Sequence, residues 1–252
     1  MSELISDPAT FAKVAQELHT AEAVGGRNRD RGATAVGATA DTTAEAIVAR
    51  ALSLIPGAEH VSLTLRVSGG YKSLAFTDET ARQADALQYA LREGPCLEAT
   101  NEAGWVRSGD VGVDPRWPTW GPQVAQRAGV RSILALQLTH GDHLSGAINI
   151  FSDQAGHFAD RELIDTACIY AMHASTALNS ARLTSELRTA LSSRHLIGMA
   201  QGRLIERLGL DPHSSFEYLR RLSSTHQLKL REVAEHVLAD KPLPPPPGGP
   251  TH

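Results

Sequence analysis

Across 252 residues the chain has only two cysteines, Cys96 and Cys168. That excludes a disulfide framework, and with no CxxC pair it gives no sign of a zinc site. Aromatic residues make up 5%, so each one in a strand or loop counts as a candidate for packing or binding. No apolar run approaches the ~18 residues of a membrane span, and the start MSELISDPAT lacks the basic-then-apolar layout of a signal peptide. A cytoplasmic location is the expectation. Lysine is scarce, 4 against 20 arginines, so Arg-richness alone says little about phosphate binding. Lys+Arg sum to 24 and Asp+Glu to 28, net −4, which excludes a uniformly basic nucleic-acid binder. Against these shortages stands 42% hydrophobic content, enough for a core in one large or two smaller domains.

Residues 6–24 carry Phe11, Val14, Ala15 and Leu18 at helical spacing, and the Gly/Arg/Ala/Thr run over 25–40 has linker composition. From 41 the signals alternate. A helix ending at Pro56-Gly57 precedes two period-2 runs, Val61 to Val67 and Tyr71 to Phe76, joined by Ser68-Gly69-Gly70. A helix over 78–91, stopped by Gly94-Pro95, precedes a short strand at Trp105-Val106-Arg107 and a Pro- and Trp-containing broken helix or loop over 115–128. Two strong strands follow, around Ile133–Leu138 and over 144–151. His140-Gly141-Asp142-His143 between them suits a two-residue type II′ turn. The order predicts an antiparallel α+β domain. His140 and His143 flank this turn, but an exposed pair is the plainer reading, and no metal site is assigned.

No proline occurs between Pro122 and Pro212. Residues 160–208 can therefore form one helix of ~70 Å at 1.5 Å per residue. Its narrow stripe, Ile164 to Ala181, predicts a partner helix, most economically its own copy in a parallel dimer. Gly209 closes this helix and Asp211-Pro212 opens a second, with Phe216, Leu219 and Leu222. A third holds Leu230, Val233, Ala234, Val237 and Leu238. Residues 242–252 form a Pro/Gly-rich tail, expected to be solvated.

Over 183–241 the chain carries nine basic and seven acidic residues, net +2, leaving −6 for the remainder. Gly198 and Gly202 lie four apart on one face of the long helix, beside Arg194 and Gln201. Each mid-helix glycine costs ~1 kcal/mol relative to alanine. Either close packing within a three-helix unit or a bare patch for nucleic-acid bases would offset that.

The residues Arg194-His195-Leu196-Ile197-Gly198-Met199-Ala200-Gln201-Gly202-Arg203-Leu204-Ile205-Glu206-Arg207, then Phe216 to Arg220, then Lys229 to Glu235, resemble the ANTAR domain. Residues 42–180 resemble a GAF domain, with Glu93-Gly94-Pro95-Cys96-Leu97-Glu98-Ala99 similar to a segment of actinobacterial GAF–ANTAR proteins. The resemblance implies four parts: an N-terminal helix and linker (1–40), a GAF-like sensor (41–178), a three-helix ANTAR module (179–241) reached through a coiled-coil helix, and the tail (242–252). It implies a transcription antiterminator whose dimeric ANTAR module binds paired RNA stem-loops. Arg194, Gly198, Gln201, Gly202, Arg220, Lys229 and Arg231 are the expected RNA contacts, since single-stranded loop bases are what a protein surface can read. Gln201 stands where the family often has Lys, and Arg203 where an apolar residue is common. The GAF part implies a small-molecule pocket, for which Tyr89, Cys96, Trp105, Trp117 and Trp120 are candidates; its ligand and any cofactor are unassigned. Two alternatives remain: a GAF-type redox enzyme resembling free methionine sulfoxide reductases and acting through Cys96, placed in a loop after Gly-Pro, and a GAF dimer acting only through protein partners.

Overall fold

The computed structural model describes residues 35–101, 104–141 and 144–245. The amphipathic segment at 6–24 lies outside them. The chain divides into two compact units, Met1–Ser185 and Glu186–His252.

Among the described residues the first unit begins with α1 (Ala35–Leu54), which starts inside the stretch of linker composition. Its Ala44, Ile47, Val48 and Ala51 are buried. Strands β1 (His60–Val67) and β2 (Gly70–Phe76) form a hairpin. Helix α2 (Glu79–Leu91) starts where Asp78 accepts the Ala81 N–H at 3.0 Å, and stops at Arg92 in the left-handed region. Gly94-Pro95 do not lead into a loop: Pro95 is the first residue of a further helix, α3 (Pro95–Asn101), a position where its missing N–H costs nothing. Then come β3 (Trp105–Ser108), α4 (Trp120–Ala128), β4 (Ser132–His140) and β5 (Leu144–Ser152). His140 pairs with Leu144, so three residues rather than two close the last hairpin.

The five strands lie in the order β2-β1-β5-β4-β3, all pairs antiparallel. Period-2 alternation splits the core between the two faces of the sheet. Val61, Leu63, Leu134, Leu136, Ile148 and Ile150 pack with α1 and with Ile164, Ala167, Ala171 and Ala174. Ile133, Ala135, Ala147 and Phe151 pack with Ala84, Cys96, Ala99, Trp117 and Trp120 from the other side.

Helix α5 (Arg161–Leu208) is continuous over 48 residues, ~72 Å at 1.5 Å per residue. In the second unit its C-terminal part packs with α6 (Pro212–His226) and α7 (Leu230–Leu238) around Ala200, Leu204, Leu219, Val233 and Ala234. Gly209 (φ 64°) ends α5; Asp211 caps α6 by accepting the His213 and Ser214 N–H groups at 2.8 and 3.0 Å. At the start of the Pro-rich tail Pro242, Pro244 and Pro245 are exposed and Leu243 is half-buried. Leu243 packs on this core, and His236 and His226 donate to the Pro242 and Pro244 carbonyls at 2.9 and 2.7 Å. Among the described residues no helix is long and apolar enough to cross a membrane.

Candidate ligand cavity and nucleic-acid surface

In the first unit, α2 turns Asp85, Gln88 and Tyr89 toward the sheet, at helical spacings that place them on one side. Asp85 is 1% exposed. One carboxylate oxygen accepts from Ser73 Oγ at 2.6 Å, Thr64 Oγ1 at 3.1 Å and Tyr89 OH at 3.3 Å; the other accepts from Asn149 Nδ2 at 3.0 Å. Burial pushes the carboxyl above its ordinary range, and the hydrogen bonds from Ser73, Ser62, Thr64 and Asn149 only partly offset this. Beside it, a cavity of about 620 Å³ is lined by Tyr71, Tyr89, Arg92, Leu97 and Asn101, among others. The two tyrosine rings stack at 6.0 Å and 11°, and the Tyr89 hydroxyl lies 2.6 Å from Thr64 Oγ1 and 2.8 Å from Ser73 Oγ. The cavity wall is thus wired to the buried carboxylate.

Of the five residues expected to line one pocket, Tyr89 alone lines this cavity. Cys96, Trp117 and Trp120 belong to the closed cluster under α3 and α4, where the indoles meet edge-on at 5.7 Å. Trp105 lies exposed on β3, with the Arg161 guanidinium 5.9 Å from its ring. Sequence reasoning missed Asp85, Asn149, Ser62 and Thr64. The usable signal was the polar half of the alternation in β1, which faces α2 and not solvent.

The Glu93–Cys96 segment works as a brace. Glu93 accepts the Thr119 and Trp120 N–H groups at 2.7 and 2.8 Å, capping α4 in place of Thr119's own side chain. Gly94 (φ 138°) passes so close to the Gln88 side chain that a Cβ would clash, and Gln88 Oε1 accepts the Cys96 N–H at 2.8 Å. Cys96 is therefore helical and sealed, not a loop thiol. Burial, reinforced by Asp85, pushes its thiol up to about 12. Cys168, half-buried in the cluster on the opposite face of the sheet, is also raised by burial. His143 and the His140 side chain lie outside the described residues. Among those described, no group of three His, Cys, Asp or Glu could hold a metal.

In the second unit, Arg194 is exposed and has no ion-pair partner among the described residues. Gly198 and Gly202 are exposed, and a Cβ on either would meet nothing within 4 Å, so close packing within this unit does not account for them. Gln201 is half-buried, with its amide engaged within the unit. Its amide donates to the Pro212 carbonyl at 3.1 Å and lies 3.4 Å from Ser215 Oγ, joining α5 to α6. Arg203, at the other departure from the family pattern, donates to the Leu238 carbonyl at 2.6 Å and pairs with Asp240, which Arg207 also grips. It latches the end of α7. Arg220 pairs with Glu217 at 3.2 Å and Arg231 with Glu235 at 2.9 Å. Lys229 precedes α7, its N–H held by Glu232 at 3.0 Å.

A five-stranded antiparallel sheet with helices on both faces and a pocket between sheet and helix defines a GAF-type sensor domain. Family models agree: residues 37–179 match the GAF domain and residues 185–238 the ANTAR domain. The chain belongs to the GAF family and, with the ANTAR domain behind it, matches a GAF–ANTAR regulator. Solved structures resemble it in fold alone. The GAF domain of a phosphoenolpyruvate-protein phosphotransferase from Coxiella burnetii is 15% identical (TM-score 0.50), over 72% of this chain and 99% of that one. A bacteriophytochrome from the photosynthetic bacterium R. palustris is 13% identical (TM-score 0.51), over 81% and 44%. A type II free methionine-R-sulfoxide reductase from Thermoplasma acidophilum is 19% identical (TM-score 0.47), over 57% and 96%. No curated protein sequence matches the chain.

Proposed function

We propose that the chain is a signal-responsive antiterminator, in which the GAF domain controls a dimeric ANTAR module that holds paired stem-loops in nascent mRNA. The observation that carries this reading is the ANTAR match over 185–238, directly behind a GAF domain. Phosphates would be held by Arg194 and Lys229, and by Arg220 and Arg231 once their surface ion pairs open, which costs little. Acting on nascent transcripts sets the chain in the cytoplasm.

The signal would be a small molecule in the Tyr71–Tyr89 cavity. An occupant that shifted Tyr89 would disturb the Asp85 network through their shared hydrogen bonds. Redox chemistry at Cys96 finds no support: a sealed thiol pushed up to about 12 is a poor nucleophile at neutral pH. The experiment is selection of bound RNA from cell lysate with the full chain. Enrichment of RNAs with paired stem-loops is the expected result. Enrichment of none, with the cavity ligand supplied from the same lysate, would leave the reading of a dimer acting only through protein partners.

A further inference from the structure

Arg92 is the single formally charged residue in the lining of the Tyr71–Tyr89 cavity. Among the described residues its guanidinium has neither an ion pair nor a hydrogen bond. The carboxylates nearest in the chain are committed elsewhere. Glu93 accepts the Thr119 and Trp120 N–H groups, and Glu98 lies 3.7 Å from Arg116. Arg92 also stands in the left-handed region (φ 53°, ψ 36°) where α2 ends. Glycine fills such a position without strain; an arginine strains the backbone there and puts a cation on the cavity.

The rest of the wall is aromatic and fixed. The Tyr71 hydroxyl accepts from Thr100 Oγ1 at 3.3 Å, and the Tyr89 hydroxyl is held by Thr64 and Ser73. With their hydroxyls occupied, the two near-parallel rings offer flat apolar faces. Asp85 lies behind Tyr89 with both oxygens engaged. Asn101 Oδ1 accepts from Arg66 at 3.3 Å and its Nδ2 donates to the Leu97 carbonyl at 2.8 Å, which leaves one amide N–H for an occupant.

We infer that this cavity takes a flat aromatic ring bearing a single carboxylate, the ring against the tyrosines and the carboxylate on the Arg92 fork. This rests on the reading of the cavity as the signal site and supplies the chemistry of the signal. A planar guanidinium matches a carboxylate in a bidentate pair, whereas a cationic ligand would meet a like charge. A volume of about 620 Å³ admits one or two fused rings. A nucleotide lacks what its phosphate needs. Phosphates are held by N–H groups at helix starts, and on this face of the sheet the protein's own side chains cap them: Asp78 at α2, Gln88 at α3 and Glu93 at α4.

Isothermal titration calorimetry on the full chain is the test, with 2-naphthoate, its amide 2-naphthamide and adenosine monophosphate as probes. The acid should bind about tenfold tighter than the amide. Arg92→Gly suits the left-handed backbone, so the melting midpoint should hold or rise. In that variant affinity for the acid should fall about tenfold, to that of the amide, and amide affinity should stay the same. Tyr71→Ala should weaken both. Equal binding of acid and amide overturns the inference, and so does acid binding that survives Arg92→Gly or a Tyr71→Ala variant that binds both as before. No acid binding at ~1 mM overturns it too, and a nucleotide that binds tighter than the acid takes the cavity for itself. Arg92-dependent acid binding in a chain that selects no RNA would strike the antiterminator reading and leave this one standing. RNA selection without acid binding would do the reverse.

Discussion

The sensor and the ANTAR unit are both held by apolar burial, but on different scales. The sensor closes a sheet between two helical layers, and each face supplies its own cluster of fully buried side chains. The ANTAR unit has Ala200, Leu204, Leu219, Val233 and Ala234, with half-buried neighbours around them. A core that small, in residues 186–252 with no cysteine to form a disulfide, supplies only ~3–5 kcal/mol. What the sensor achieves by layering, the ANTAR unit supplements with caps and ion-pair latches. The difference also divides the work: the larger body can hide polar groups, and the smaller one keeps its charges on the surface.

The sharpest way to break this comparison is a cavity in each core. Leu219→Ala should cost ~2–5 kcal/mol, as much as the whole ANTAR unit has to spare. Leu134→Ala should cost the sensor a similar amount and leave it folded. Limited proteolysis would show cleavage confined to the region after residue 185 in the first variant and a resistant sensor in the second. Simultaneous loss of both units in either variant would mean that they are one cooperative body.

The contrast also explains what could be read in the sequence. The strands, both hairpins, the proline-free helix and the Asp211 cap follow from local pattern, and all form. The sites were harder because they depend on which face is covered. Ser62 and Thr64 fall on the polar side of an alternating strand, which looks solvent-facing until α2 covers it. Cys96 follows a Gly-Pro stop, yet the chain restarts as α3, with Gln88 accepting the Cys96 N–H in its first turn. Gln201 and Arg194 share one arc of α5, and only the packing of α6 brings the Pro212 carbonyl within reach of the Gln201 amide. The openness of Gly198 and Gly202 depends on atoms that are not there, which no spacing records.

Asp85 sharpens the sensor side of the comparison. Its folded carboxyl lies above the unfolded value of about 3.8. The native state therefore holds the proton longer than the unfolded chain does, and the stability it contributes is complete below that value and lost as pH rises through the folded one. Asp85→Asn, neutral throughout, should raise the sensor's unfolding free energy near pH 7 relative to wild type, by ~1–3 kcal/mol if the amide keeps its partners. The gain should vanish toward pH 4. A constant difference across that range would show that Asp85 is not what makes the sensor pH-dependent.

A smaller effect is expected at the ANTAR latch. Arg203→Ala removes the hold on the Leu238 carbonyl and on Asp240, worth about 1 kcal/mol for a half-exposed pair. Because this unit has so little in reserve, even that should show as a lower midpoint for the second unit alone.

The smallest effect concerns surface charge and bears directly on RNA. If Arg194 contacts a phosphate, Arg194→Ala should reduce the slope of log K against log salt by about 0.7–0.9. Arg220→Ala should change it less, because binding must first open the Glu217 pair, and Glu217→Gln should strengthen binding by releasing Arg220. That order, Arg194 before Arg220 with Glu217 of opposite sign, follows from which arginines the unit leaves unpaired. Equal losses at Arg194 and Arg220 would mean that the pairs in the free protein do not persist in solution. No change at Arg194 would move the phosphate path off α5 to the start of α7 at Lys229.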